Sequence, residues 1–393
     1  MKLRILLLTS IAHFINDGNF WFLPVAYTFL VEYKGFSELV IGVISGLFFL
    51  SSALSSPLVT KFAENRGNFV NFIGLGIILW GIGIIMFGYA TYINSLILLI
   101  VSILTCGIAS SFYHPLGAAS LAIVYKGSSG TAMGINGSLG SLGRTLYPTI
   151  TLLIFTITER NILLTSIGVG LISILASIPA LLSRTRLDIR EPSSNNGNEK
   201  LTKSIRNIII ILLISALIRN MFSQGISQFL PTILVESYDF KYGLNLGQIL
   251  SIALATAIVG QPLLGILSDK VGRRLIYGIS TIGSIISILL FLVYPNIIYL
   301  SLFILFTYSA FPLVLSLVGD FVPETVNGFA NALVWGLGST GGGAIGPLIM
   351  GFLSQSIGLI NATRLIVLIG LISVIVIPAI PKPPKRSKIS IFG

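Results

Sequence analysis

Residues 265–274 read Gly265-Ile266-Leu267-Ser268-Asp269-Lys270-Val271-Gly272-Arg273-Arg274. This short polar stretch sits between two apolar runs, 244–267 and 274–293. A weaker copy stands 205 residues earlier, between Thr60 and Asn68, where Pro57, Glu64 and Gly67 match Pro262, Asp269 and Gly272. Working outward, Gly18 and Pro24 match Gly225 and Pro231 at an offset of 207, and Pro115-Leu116 matches Pro312-Leu313 at 197. Gly130, Ala132, Gly140, Ser141 and Gly143 match Gly328, Ala330, Gly338, Ser339 and Gly341 at 198. Four matches in one order are the mark of a duplicated unit.

Composition says what the unit is made of. Of 393 residues, 54% are hydrophobic and 9% charged, with a mean hydropathy of +0.95, against roughly 25% charged in a soluble domain. A water-soluble globular protein is excluded. A membrane-crossing helix needs about 20 apolar residues, and such runs occur at 5–31, 38–60, 69–90, 95–122, 131–157, 162–182, 206–235, 244–267, 274–293, 296–319, 328–355 and 361–380. The expected fold is an all-α integral membrane protein, with twelve transmembrane helices in two pseudo-symmetric six-helix bundles, residues 1–182 and 205–380. A polar linker, 183–204, joins them, and a basic tail, 381–393, follows. The first run is too long for a signal-peptide core and is expected to remain as a span.

The net charge of +11 resolves by position. With both termini cytoplasmic, eighteen of the 24 Lys and Arg residues fall on the cytoplasmic side and four, Lys34, Arg160, Lys241 and Arg364, on the other. That satisfies the positive-inside rule and removes the case for nucleic-acid binding. The single cysteine, Cys106, lies in an apolar run and reads as a core residue, so neither a disulfide framework nor a cysteine metal site is expected.

The 265–274 loop closely resembles the signature loop of the major facilitator superfamily. That resemblance implies alternating access between two parallel repeats, with Asp269, Arg273, Gly265 and Gly272, and Glu64 in the first-half copy, acting as a cytoplasmic gate. It also implies that spans one, four, seven and ten line a central cavity. Gly137, Gly140 and Gly143 give span five small residues at intervals of three, which permits close helix approach and resembles a fifth-helix motif of exporters. Ala12-His13-Phe14-Ile15-Asn16-Asp17 and Ser111-Phe112-Tyr113-His114-Pro115 are similar to the matching stretches of fosmidomycin-resistance exporters. The Gly341-Gly342-Gly343 run lacks the Gly-Lys-Ser/Thr ending of a phosphate loop and reads as packing.

Ionisable groups inside spans are costly and are functional candidates by default. Span one carries His13 and Asp17 on one helical face with Asn16, Phe20, Pro24 and Tyr27; span four carries His114; span five carries Arg144 near mid-membrane. An Asp/His set in low dielectric can exchange protons near neutrality, so Asp17, His13 and His114 are candidates for proton coupling; permanent ion pairing of Asp17 is the structural alternative. Arg144 either neutralises Asp17, snorkels to water or clamps an anion. Asn16, Asn220, Gln224, Tyr308 and Trp335, with Arg144, are the candidate substrate contacts; Arg219 and Trp21 are weaker ones.

No activated nucleophile or metal-type spacing accompanies these groups. The expectation is not an enzyme but a secondary transporter without cofactor or metal, a functional monomer in the cell membrane that exports a small, anionic organic solute with proton coupling. A proton symporter or facilitator importing a metabolite is the alternative. A non-transporting sensor on a carrier fold is the alternative of another class.

Overall fold

Backbone amides in hydrocarbon must bond within their own segment, so long uninterrupted helices are the expected product of this sequence. The computed structural model describes residues 2–125, 128–183, 185–187, 202–323 and 330–382. Thirteen helices account for nearly all of them. The first half holds α1 (Lys2–Lys34), α2 (Glu38–Arg66), α3 (Phe69–Tyr92), α4 (Leu96–Tyr125), α5 (Ser129–Ile157) and α6 (Ile162–Leu181). The second holds α7 (Lys203–Ser227), α8 (Leu230–Tyr238), α9 (Leu244–Val271), α10 (Arg273–Val293), α11 (Ile297–Phe321), α12 (Ala330–Ile357) and α13 (Leu359–Val376). Most of the 183–204 linker and of the 381–393 tail lies outside the described residues.

Helix ends follow local chemistry. Ser37, Asn161 and Thr202 each accept a hydrogen bond from the backbone N–H three residues on, at 3.5, 3.1 and 3.3 Å, which satisfies an otherwise orphaned donor. Gly272, with φ of +112°, separates α9 from α10, a backbone conformation that side-chain-bearing residues avoid.

Ten described helices are long and apolar enough to cross a membrane by length and composition. The two remaining long helices, α1 and α5, have 33 and 29 residues but are diluted by polar and small residues. Their polarity is the sequence cost of the site they carry. The run at 206–235 forms two helices rather than one, because Pro231, in the first turn of α8, has no N–H to continue the α7 ladder. Along α12, Val334–Thr340 is wound as a π-helix, a form found mostly at functional sites.

Burial is distributed as lipid demands. Ile97, Ile375, Leu182 and Ile157 are 70–78% exposed on the outside, an arrangement a water-soluble protein of this size would not tolerate. Inside, Ser and Thr hydroxyls donate back to carbonyls of their own helices, as Ser120 does to Leu116 O at 2.7 Å and Thr363 to Leu359 O at 2.7 Å. With no hydrophobic drive between helices in lipid, close approach falls to small residues. A Cβ on Gly143 of α5 would stand 2.0 Å from the Phe14 carbonyl oxygen of α1, and one on Gly140 would stand 2.3 Å from His13 Nε2.

The glycine stripe of span five is therefore split in function. Gly140 and Gly143 seat α1, whereas a Cβ on Gly134 or Gly137 meets nothing within 4 Å. Gly143→Val is expected to lower stability by about 1–3 kcal/mol, the usual cost of overpacking, because the obstacle is backbone and cannot swing aside. Gly137→Ala is expected to be neutral or mildly stabilising through helix propensity. Thermal unfolding of the two variants in detergent checks the contrast.

The halves meet along two seams. Between α2 and α12, a Cβ on Gly42 would stand 2.5 Å from Pro347 O, and one on Gly351 2.4 Å from Glu38 O. Between α5 and α9, one on Gly247 would stand 2.7 Å from Pro148 O, and Thr149 and Ser251 share a hydrogen bond of 2.7 Å. Away from the N-terminus of α1 the halves also close on each other: Tyr242 Oη donates to Val25 O at 3.1 Å, Thr28 and Thr232 hydroxyls lie 2.9 Å apart, and Tyr242 packs among Phe29, Tyr33 and Phe155. At the opposite, basic end, the ion pairs found among the described residues, Arg273 to Asp269 and to Asp320, lie within the second half. Between the halves lies a cavity lined from α1, α2, α4 and α5 on one side and α7, α9, α10, α11 and α12 on the other.

Candidate functional site

Two helical positions four apart place His13 and Asp17 on one face of α1, and the face turns inward. Asp17 is 3% exposed, and its carboxylate is the hub of the first half. Arg144 Nη1 donates to Oδ2 at 2.5 Å, His13 Nε2 lies 3.2 Å from Oδ2, His114 Nε2 lies 3.5 Å from Oδ1, and Asn16 Nδ2 donates to Oδ1 at 2.9 Å. Four candidates read from three sequence stretches thus converge on one carboxylate. Asn16 is oriented in turn by Trp80, whose Nε1 donates to its Oδ1 at 3.0 Å.

Gly140 makes this convergence possible. Without a side chain it leaves room for the His13 imidazole between α1 and α5. One turn before it, Asn136 engages His13 Nδ1 through its carbonyl oxygen and its Oδ1, each at 2.9 Å, and its Oδ1 accepts from Tyr113 Oη at 2.6 Å. Tyr113 also stacks on His13 with ring centroids 4.4 Å apart. Asn136, Gly140 and Arg144 recur every four residues and so share one face of α5, the signal by which Asn136 was findable in the sequence.

Arg144 bridges towards the second half. Its Nη2 donates to Ser141 Oγ at 2.9 Å, Ser141 Oγ donates to Gln261 Oε1 of α9 at 3.4 Å, and the guanidinium lies 5.6 Å from the Tyr308 ring centroid. Gln261 Nε2 donates to Tyr308 O at 3.4 Å. That carbonyl has no helical partner, because the residue four further on is Pro312 and lacks an N–H. The break in α11 is thereby linked to Arg144 by two side chains.

The remaining expected contacts line the same cavity. Asn220 and Gln224 lie on α7, Tyr308 on α11 and Trp335 in the π-wound turn of α12. Trp335 faces His114 at 6.1 Å and Phe311 at 4.2 Å between ring centroids. Arg219, a weaker candidate by sequence, also lines the cavity and is 3% exposed. Trp21 lies beside Tyr308 at 6.2 Å.

The second cluster stands apart, at the basic end. Arg273 Nη2 donates to Asp269 Oδ1 at 2.9 Å and its Nε lies 3.2 Å from Asp320 Oδ2. Gly272 supplies the turn and Gly265 stands open. Glu64 is exposed and joins no ion pair among the described residues; only its backbone carbonyl is engaged, by Gly67 N–H at 3.2 Å. The buried Asp320 was missed in the sequence, where it reads as the polar end of a span.

Ligand atoms of His13, Asp17 and His114 come within 4.8 Å of one another, an N,N,O donor set of the kind metals use. The guanidinium already resting on Asp17 opposes a cation there. The arrangement suits anions and protons better.

The sequence model of the major facilitator superfamily matches residues 9–257 and 243–392. The chain belongs to the major facilitator superfamily. Within the superfamily, it is 28% identical over 163 residues to the cis,cis-muconate transport protein of Acinetobacter baylyi, an alignment covering 40% of this chain and 39% of that one. Its structure superposes on a bacterial homologue of the human lysosomal transporter Spinster, in an inward-facing and unoccupied conformation, with a TM-score of 0.80, 16% identity and 96% of each chain covered. It also superposes on the nucleoside transporter NupG with a TM-score of 0.72, 15% identity and coverage of 96% and 98%. At such identities the solved structures establish the fold. The superfamily fold, two six-span repeats around a central cavity, is the one expected from the repeat, and membership of that superfamily indicates transport rather than enzyme chemistry.

Proposed function

We propose that the chain carries a small organic anion across the membrane together with a proton, with Arg144 as the anion clamp and Asp17, His13 and His114 as the proton-coupling set. The observation that carries this reading is the contact of Arg144 with Asp17 at the wall of the cavity. An incoming carboxylate takes the guanidinium only by displacing Asp17. A buried carboxylate stripped of its counter-charge gains a proton rather than stand ionised, and two imidazoles within 3.5 Å are there to relay it.

Anion binding and proton uptake then favour each other, and by linkage the effect is reciprocal. Positive coupling of this kind suits symport. Antiport needs the two ligands to compete for one site. The geometry therefore supports the symport alternative over the export to which the fifth-helix glycines and the fosmidomycin-type motifs point. The muconate transporter, named for an organic dianion, is a relative consistent with an anionic cargo. The positive-inside distribution supports a cytoplasmic location for the basic end, opposite the Tyr242 closure.

Proteoliposomes with an imposed pH gradient test the reading. A symporter accumulates a labelled organic anion when the interior is alkaline, and an antiporter expels it under the same gradient. Accumulation that follows the antiport direction would overturn the coupling scheme, and no gradient-dependent movement of any organic anion would overturn the proposal as a whole.

A further inference from the structure

We propose that the transported solute is a dianion, with an acidic group at each end, held between Arg144 of the first half and Arg219 of the second. The proposal rests on the reading of Arg144 as an anion clamp.

Arg219 is a buried guanidinium that pairs with no Asp or Glu among the described residues. Its Nε donates to Thr281 Oγ1 at 3.2 Å, its Nη2 donates to Phe306 O at 3.2 Å and to Thr307 O at 3.0 Å, and the Tyr277 ring lies 5.8 Å beneath it. These neutral partners fix the plane of the fork and engage three of its five N–H groups. Nη1 makes no hydrogen bond among the described residues, and the residue lines the central cavity. A fork held rigidly with its Nη1 open is a preorganised donor for a carboxylate or phosphate oxygen. Purely structural use of a guanidinium so deep would call for a counter-ion, which Arg144 has in Asp17 and Arg219 lacks among the described residues.

The charge balance makes the same case. Among the carboxylate and guanidinium groups alone, Asp17 cancels Arg144 in the empty site and Arg219 is left as an excess positive charge. A bound dianion that releases Asp17 to take up one proton leaves two guanidiniums against two anionic groups, and the loaded site is neutral. A monoanion bound the same way leaves one positive charge uncompensated in low dielectric. The two cations sit in different halves, so only a solute spanning the cavity satisfies both.

The test uses the purified full chain and a series of unbranched dicarboxylates from succinate to suberate, each compared by equilibrium binding with its own monomethyl ester. For the best-fitting length, the diacid is expected to bind at least about tenfold more tightly than the ester, the effect of one charge-assisted contact. Arg219→Gln should reduce that ratio to near one while ester binding persists, and Arg219→Lys should give an intermediate ratio. A wild-type ratio near one, a ratio unchanged in Arg219→Gln, or no binding by any diacid would overturn the proposal. If Arg219→Gln does not fold, the wild-type ratio and Arg219→Lys decide. Arg144→Gln separates this proposal from the reading beneath it: loss of both diacid and ester binding upholds the clamp whatever Arg219 does, and unchanged binding of both removes it.

Discussion

Asp17→Asn is expected to abolish pH-driven accumulation of the anion while leaving exchange of anion for anion intact. The asparagine keeps the shape of the carboxylate and its bond from Asn16 but cannot titrate and cannot hold Arg144 by charge. Two measurable consequences follow from the competition described above. In the wild type, anion affinity rises as the pH falls, because the proton that Asp17 takes up frees the clamp; in the variant that slope is lost. At neutral pH the variant should also bind the anion more tightly, by about tenfold, since no carboxylate contests the guanidinium. A purely structural Asp17 predicts the reverse: removing one partner of a buried ion pair costs about 3–5 kcal/mol, so the variant would be less stable, bind no better and keep whatever pH-driven transport it retained. Uptake under a pH gradient, counterflow and thermal midpoint, measured on one preparation, tell the two apart.

Arg144→Gln is expected to have the second large effect, a loss of anion affinity of about a hundredfold or more, the scale of a desolvated charge-assisted pair. Arg144→Lys is the more informative companion. A lysine restores the charge but not the two-pronged fork, and it cannot reach Asp17 and Ser141 at once as Nη1 and Nη2 do. An intermediate loss, about tenfold, is expected for it. Equal affinity in Arg144→Lys and wild type would mean that the site reads charge alone, and equal affinity in Arg144→Gln would remove the clamp altogether. Transport should fall with binding in both variants, because it is the displacement of Asp17 by the anion that lets Asp17 take up the proton.

Much of this architecture is legible in the chain because the bilayer enforces simple rules. Backbone satisfaction fixes helices, hydrocarbon thickness fixes their length, and the repeat from Gly18 and Pro24 to Gly225 and Pro231 fixes the pairing of halves. The first-half site was legible for the same reason: His13, Asp17, His114 and Arg144 are expensive where they stand, and expense marks them. What was not legible is what neutral groups do. Asn136, Tyr113 and Gln261 cost little enough in a span to pass as packing, yet they orient His13 and tie α9 to the broken α11. Arg219 was undervalued because spacing along the chain does not show that the fold buries it among carbonyls of α11. The break of span seven follows from Pro231 and its missing N–H, whereas nothing in the spacing along the chain marks the π-turn around Trp335.

The seam between α2 and α12 has a mechanical meaning. At Gly42 and Gly351 backbone lies on backbone, while farther along the seam the Phe49 ring of α2 is seated on Gly343 of α12. Where backbone meets backbone there are no teeth to disengage when one half tilts against the other, so that part of the contact works as a bearing rather than a zip. The halves can roll about it at little cost in lost packing. The choice between the two tilts then falls to the few groups that do change partners, and a single displaced carboxylate is enough to tip it.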